Sequence, residues 1–296
     1  MSRSIYKITS AIGWNLLLIS SLSLGLYFYN FLIKNTESDD KNTFAKSMKR
    51  AFQQYNKPTI LKADIQTYVS KKSHKIRDIS VTEKFGFNFS HIDLSGADLK
   101  HVNIRGANFN HAKLDMSDFS YADMTGVDFS RASMHGIGLK EAILNRALLK
   151  STNLKFSDLR NVLLMDSELH TVDLQGSDLS GANLSGVRLI NVDFSNANLS
   201  GVKLDGSVLK GVILKGANCR GASFYKANIQ NSDLSNIDFN SASLIDTKIK
   251  NSIIINTDFQ YADLRGAKFH KNNTNNLKFN KTRMIYAQGL QVAYKQ

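Results

Sequence analysis

The chain has 296 residues, 42% apolar content, one cysteine and a formal net charge of +13. That length and apolar fraction suffice for a sizeable packed core and exclude a disordered chain, while a lone cysteine, Cys219, excludes an intramolecular disulfide framework or a cysteine-cluster metal site. The charge is unevenly placed: residues 1–86 carry +8, 87–271 carry +1 and 272–296 carry +4, so nucleic acid, which needs a basic excess on the folded body, is not the expected partner.

Residues 1–10 form a short tail holding Arg3 and Lys7. Residues 11–33, "AIGWNLLLISSLSLGLYFYNFLI", carry no charge and as a helix extend about 34 Å, enough to cross a bilayer core. Trp14 lies near one end and Tyr27 and Tyr29 near the other, where amphipathic rings favour the headgroup region. No small-x-small cleavage site follows and no cysteine is placed for lipidation, so the segment is expected to be an uncleaved single-pass transmembrane helix. Lys34, Lys41, Lys46, Lys49 and Arg50 follow it closely and outnumber Arg3 and Lys7, which favours a cytoplasmic carboxyl side. A short basic amino terminus before a first span also fits the opposite orientation.

Residues 34–84 read as a basic helical linker and cap. Phe44, Met48, Phe52 and Tyr55 recur at helical spacing, Asn42 or Thr43 is a capping residue, and Pro58, the only proline, closes the pattern. Lys41, Lys46, Lys49 and Arg50 are candidate contacts for anionic lipid; the other reading is a solvated connector whose apolar stripe covers the next domain. A second short pattern, Ile60, Leu61, Ile65, Tyr68 and Val69, follows Thr59.

From Phe89 to Phe269 every fifth residue is apolar, and the residue two places earlier is Ala, Ser, Thr, Val, Ile or, once, Phe. Five residues of helix leave a residual rotation that scatters these centres around its surface. In a straight strand an odd period sends successive centres to opposite faces. Only a chain that turns a corner every five residues directs all of them into one interior, and a short period buried by stacking defines a solenoid of β-helix type.

The segments "GADLK", "GANFN", "YADMT", "GANLS", "NANLS", "GANCR", "KANIQ" and "YADLR" resemble the A-[DN]-L-x-x pattern of the pentapeptide-repeat family. The resemblance implies an all-β solenoid, a right-handed quadrilateral β-helix with four pentapeptides per coil, over residues 85–286. Residues twenty apart then stack, and forty repeats from Phe89 to Met284 make about ten coils, a rod about 48 Å long. Phe89, Phe109 and Phe129 are expected on one inner side, and Phe239 and Phe259 on another. Residues 59–86 and the carboxyl-terminal tail, 287–296, are candidate caps for the open ends. The resemblance also implies a possible homodimer through the carboxyl-terminal end.

Chemistry is hard to place on such a body. Cys219 occupies a centre and reads as packing. Asp93, Asp98, Asp118, Asp123 and Asp128 precede centres and suit turns. His91 and His111, twenty apart, lack a third ligand for a metal, and no cofactor, catalytic or metal site is expected. Apolar residues at outward positions are more informative: Ile143, Leu163 and Met165 share one side, Leu148, Ile190 and Val208 another, and Ile213, Ile253 and Ile255 a third. The first cluster is the candidate protein-contact patch. The expected function is a non-enzymatic membrane-anchored scaffold for protein contacts. Two alternatives remain open: an inhibitor or protector of a DNA-handling enzyme by DNA mimicry, as in the family's quinolone-resistance members, and a translocated bacterial effector at host membranes.

Overall fold

The computed structural model describes residues 62–72, 79–80 and 87–290, and there each five-residue unit forms one side of a coil. Parallel bridges join residues twenty apart, from Asn88↔Asn108 to Lys268↔Gln288, so a coil takes twenty residues and has four sides. We label the sides by their inward centres: A includes Phe109 and Leu209, B includes Leu94 and Leu214, C includes Leu99 and Cys219, and D includes Leu144 and Leu164. Adjacent coils share two-way backbone hydrogen bonds: Leu94 N–H donates to Lys113 C=O at 2.8 Å, and Lys113 N–H to Ile92 C=O at 2.8 Å.

Most sides are too short to hold more than one bridge before the next corner. Side A is the most regular. There β3 (Leu148–Lys150), β4 (Glu168–His170), β5 (Arg188–Ile190), β6 (Val208–Lys210), β7 (Asn228–Gln230), β8 (Lys248–Lys250) and β10 (Lys268–His270) make one seven-stranded parallel sheet. On side B, β9 (Ile253–Ile255) pairs with β11 (Asn273–Asn275). Before the body, β1 (Ile79–Ser80) pairs with β2 (Val102–Asn103), and Ile79 faces Val102, 23 positions on, rather than 20. The first coil therefore holds three extra residues, which is where the five-residue beat of the sequence fails.

The centres from Phe89 to Phe269 are buried, together with most of the small residues two places before them. Phe89 stacks on Phe109 with ring centroids 5.0 Å apart, Phe109 meets Phe129 at 5.4 Å, and Phe239 stacks on Phe259 at 5.3 Å. Where the small position is Ser or Thr, its hydroxyl donates to a main-chain carbonyl: Ser177 Oγ to Leu174 at 2.6 Å and Thr257 Oγ1 to Leu234 at 2.8 Å. Buried hydroxyls are thereby satisfied, and each large centre contributes about 1.5–3 kcal/mol of burial.

The two ends differ. At the amino end α1 (Lys62–Lys72) lays Ile65 and Val69, one turn apart, into the same core, and Lys62 Nζ donates to the Ser95 carbonyl. That helix lies within the segment expected to cap this end. At the carboxyl end the ladder reaches Gln288, past the boundary at 286. There Leu277, Phe279, Met284 and Leu290 pack on the core from one side only and stay partly exposed. The apolar run 11–33 and the amphipathic pattern around 42–57 lie outside the described residues. Among the described residues no helix is long and apolar enough to cross a membrane.

The corners set a second rule. Asn191 and Gly211 occupy successive turns of one corner with φ of 54° and 65°, and a Cβ on Gly211 would collide with Asn191 Oδ1. Gly211→Ala is therefore expected to lower stability by the ~1–2 kcal/mol of a left-handed alanine, since the Asn191 amide, the far end of a flexible side chain, can turn aside. Adding Asn191→Ala should lower it further, because alanine then stands at a second left-handed position. Urea-denaturation midpoints of the wild type and both variants check this, and a Gly211→Ala midpoint equal to that of the wild type would refute the backbone cost.

Candidate functional site

The outward positions of each side are the residues just before and just after the centre. The position before it usually holds Asp or Asn because its side chain accepts the N–H two residues on: Asp193 Oδ1 from Ser195 N at 2.8 Å, and Asp128 Oδ1 from Ser130 N at 2.8 Å. These short loops close the corners, which is why the recurring carboxylates are structural. Arg and Lys on neighbouring positions add ion pairs. Arg160 holds Asp158 at 2.6 Å and Arg265 holds Asp263 at 2.7 Å. The hydrogen bond from each arginine keeps the Asp158 and Asp263 carboxyls below their ordinary pKa of 3.8.

On side D two successive coils depart from this rule. Ile143 and Leu163 replace the turn-forming Asp or Asn and lie directly opposite each other in the ladder. Leu163 cannot accept the Met165 N–H, and Asn145 Oδ1 of the preceding coil accepts it instead at 3.0 Å. Ile143, Leu163 and Met165 are thus brought together, each half-buried, on an intact backbone. Asp123 borders the cluster on one side and Asn183 on the other. Burial raises the Asp123 carboxyl, but hydrogen bonds from Thr125 and Arg105 outweigh it and hold the group below its ordinary pKa.

The other outward apolar residues fall out differently. Ile213 and Ile253 are exposed on side B but separated by Asp233. Leu148, Ile190 and Val208 are half-buried on side A and interleaved with charged residues. Sequence reasoning missed two exposed large apolar side chains, Met116 and Phe156, at 67% and 66%. They sit at one corner and lean over Gly136 and Gly176 of the next coils; the signal was the glycine twenty residues after each. Lys41, Lys46, Lys49 and Arg50 lie outside the described residues.

His91 and His111 stack with centroids 5.0 Å apart, and His101 stacks on Tyr121 at 4.9 Å at another corner. Among the described residues no cluster of three or more His, Cys, Asp or Glu side chains is arranged to hold a metal. Cys219 is fully buried, and burial pushes its thiol up in pKa, away from the reactive thiolate.

A coil of four five-residue sides around an apolar core, closed by Asx loops, defines a class of protein. The pentapeptide-repeat family model matches residues 86–120, 111–136, 167–206, 203–240 and 232–270 in eight copies, and the chain belongs to that family. Among solved structures it is similar to HetL, a pentapeptide repeat protein involved in heterocyst differentiation regulation from the cyanobacterium Nostoc sp. strain PCC 7120. That match has 19% identity and a TM-score of 0.55, covering 77% of this chain and 94% of HetL. A second match is QnrB1, a plasmid-mediated fluoroquinolone resistance protein, at 24% identity and a TM-score of 0.44 over 60% of this chain and 89% of that one. No curated protein matches by sequence.

The depressed carboxyls give a pH dependence. A folded-state pKa below 3.8 stabilises the fold above that pH, and the contribution is lost as the pH falls through the folded value. Asp158→Asn with Asp263→Asn keeps the acceptors for the turns and removes the charges. At neutral pH its melting temperature should stay near that of the wild type, because such exposed pairs contribute only ~0–1 kcal/mol. Near pH 3 the wild type should lose more stability than the variant; parallel losses would exclude these pairs as the cause.

Proposed function

We propose that this protein is a non-enzymatic, membrane-anchored pentapeptide-repeat scaffold whose rigid body offers a surface for protein contact on the cytoplasmic side. The observation that carries the reading is the side D cluster. Ile143, Leu163 and Met165 stand where the repeat wants polar residues, and Asn145 makes good the backbone bond that Leu163 gives up. A packed interior supports a role in positioning, since the centres are filled with apolar side chains. The uncharged run 11–33 supports anchoring, and Lys41, Lys46, Lys49 and Arg50 after it suit an anionic leaflet.

The carboxyl end offers a second contact, with another copy of the chain. Leu277, Phe279, Met284 and Leu290 present half-covered apolar surface there. DNA mimicry is less favoured. The acidic column of side C is repeatedly neutralised, as by Lys100 on Asp118 at 3.2 Å and Arg220 on Asp238 at 3.1 Å.

Site-specific photocrosslinking from position 163 in cells tests the contact. Crosslinked adducts are expected in the wild-type background and lost when Met165→Asp and Ile143→Asp are added; identical adducts would remove the patch. Extraction of the whole protein by alkaline carbonate would remove the anchor. Digestion of a carboxyl-terminal tag in intact cells would reverse the orientation.

A further inference from the structure

Side A treats its charges differently from the other sides. Its strands turn Lys150, Arg188, Lys210, Lys248, Lys250 and Lys268 outward, and all six are exposed. Among the described residues none of the six is ion-paired to a carboxylate. On the other sides pairing recurs, with Arg105 on Asp123 at 3.0 Å, Lys155 on Asp173 at 3.0 Å and Arg265 on Asp263 at 2.7 Å. The single outward acid of these seven strands, Glu168, lies 3.7 Å from His170. The register sets Lys248 opposite Lys268 and Lys250 opposite His270, about 4.8 Å apart along the axis. A shallow hollow there is lined by Asn228, Gln230, Lys248, Lys250, Lys268 and His270. Along the flanking corners lie Arg146, Asp166, Lys226 and Asp246 on one border and Lys271 on the other.

Like charges stacked on successive coils repel, and nothing in the repeat requires them, since the position before the centre on the other sides mostly holds Asp, Asn or Ser. We propose that side A, from Lys150 to His270, docks onto the anionic headgroups of a lipid bilayer, with the solenoid axis lying along the leaflet. Three observations favour a bilayer over a nucleic acid. No Phe, Tyr or Trp is among the outward residues of these strands to stack on a base. Half-buried Leu148, Ile190 and Val208 are interleaved with the cations, the mixture that suits a headgroup boundary. The chain outside the described residues adds an uncharged apolar run, 11–33, and the cations Lys41, Lys46, Lys49 and Arg50. The proposal does not require 11–33 to span: a cationic face binds headgroups with or without an anchor, each cation near the surface strengthening attachment about fivefold.

The test uses the full chain with vesicles of phosphatidylcholine alone or mixed with phosphatidylserine. An environment-sensitive fluorophore is placed at Asn228→Cys on side A or Ser200→Cys on the opposite side C; Cys219 is buried and stays unlabelled. With phosphatidylserine present, the probe at 228 should shift to an interfacial signal and the probe at 200 should not. High salt, or Lys248→Glu with Lys250→Glu and Lys268→Glu, should weaken the phosphatidylserine-dependent attachment at least about tenfold. Equal shifts at both positions, or none at 228 in the wild type, would overturn docking even if the triple variant failed to fold. Attachment to phosphatidylserine vesicles with a silent probe at 228 would credit the amino-terminal run alone and count against side A. Protection of 228 by a single-stranded oligonucleotide, with no response to anionic vesicles, would replace the bilayer by nucleic acid.

Discussion

Each coil passes its backbone hydrogen bonds to the next at a constant offset of twenty residues, and the rest of the molecule follows from that offset. Because the ladder is parallel and in register from Asn88 to Gln288, a residue type repeated every twenty positions becomes a column in space. Inside, columns of like residues pack well: Phe239 stacks on Phe259 and Phe259 on Phe279, at 5.3 and 5.5 Å. Amides work as columns too, since each offers both donor and acceptor. Asn256 Nδ2 donates to Asn236 Oδ1 at 3.2 Å, and Asn276 repeats the bond to Asn256 at 2.7 Å. Charges are the exception. A column of one sign gains nothing from the register and must be neutralised by a neighbour or by something outside the chain.

Much of this was legible in the sequence, because burial acts on every five-residue side separately. The centres and their small neighbours announce the turn at each corner, and even the Phe89, Phe109 and Phe129 contact follows once a coil is twenty residues. Other features depend on pairs of residues in different coils. The substitution of Asn145 for the missing acceptor at Leu163 is one, since neither residue is unusual alone. Met116 above Gly136 and Phe156 above Gly176 are others. The charge of side A was hidden by summation. A body of +1 combines one cationic side with others that carry most of the carboxylates.

The amino end departs from the period for a physical reason. A solenoid's terminal coil exposes both backbone edge groups and inward side chains. A helix laid across that end covers both, provided its apolar residues recur every four positions rather than every five. Ile65 and Val69 make that change of spacing, and the offset of 23 between β1 and β2 is where the chain passes from one period to the other. The carboxyl end, where Phe279 and Met284 keep the five-residue beat to the last described coil, retains the surface of an interior.

The Asx loops separate what the scaffold demands from what it merely permits. An unsatisfied main-chain N–H at a corner costs about 1–3 kcal/mol where it is shielded from water, so the Asp or Asn before a centre cannot be exchanged freely. At three exchanged positions a neighbour takes over the bond. Asp115 accepts the His135 N–H at 2.8 Å below Ser133, Asp205 accepts the Tyr225 N–H at 3.1 Å below Ser223, and Asn145 serves Met165 below Leu163. On side A the strands of β3 to β8 and β10 bond one another over three residues, so the loop acceptor is dispensable and Arg188, Lys248 and Lys268 stand in its place. Several departures from the repeat thus fall where the backbone is otherwise provided for. At those positions the side chain is released from building the coil, and Leu163 of side D and the cations of side A occupy that freedom.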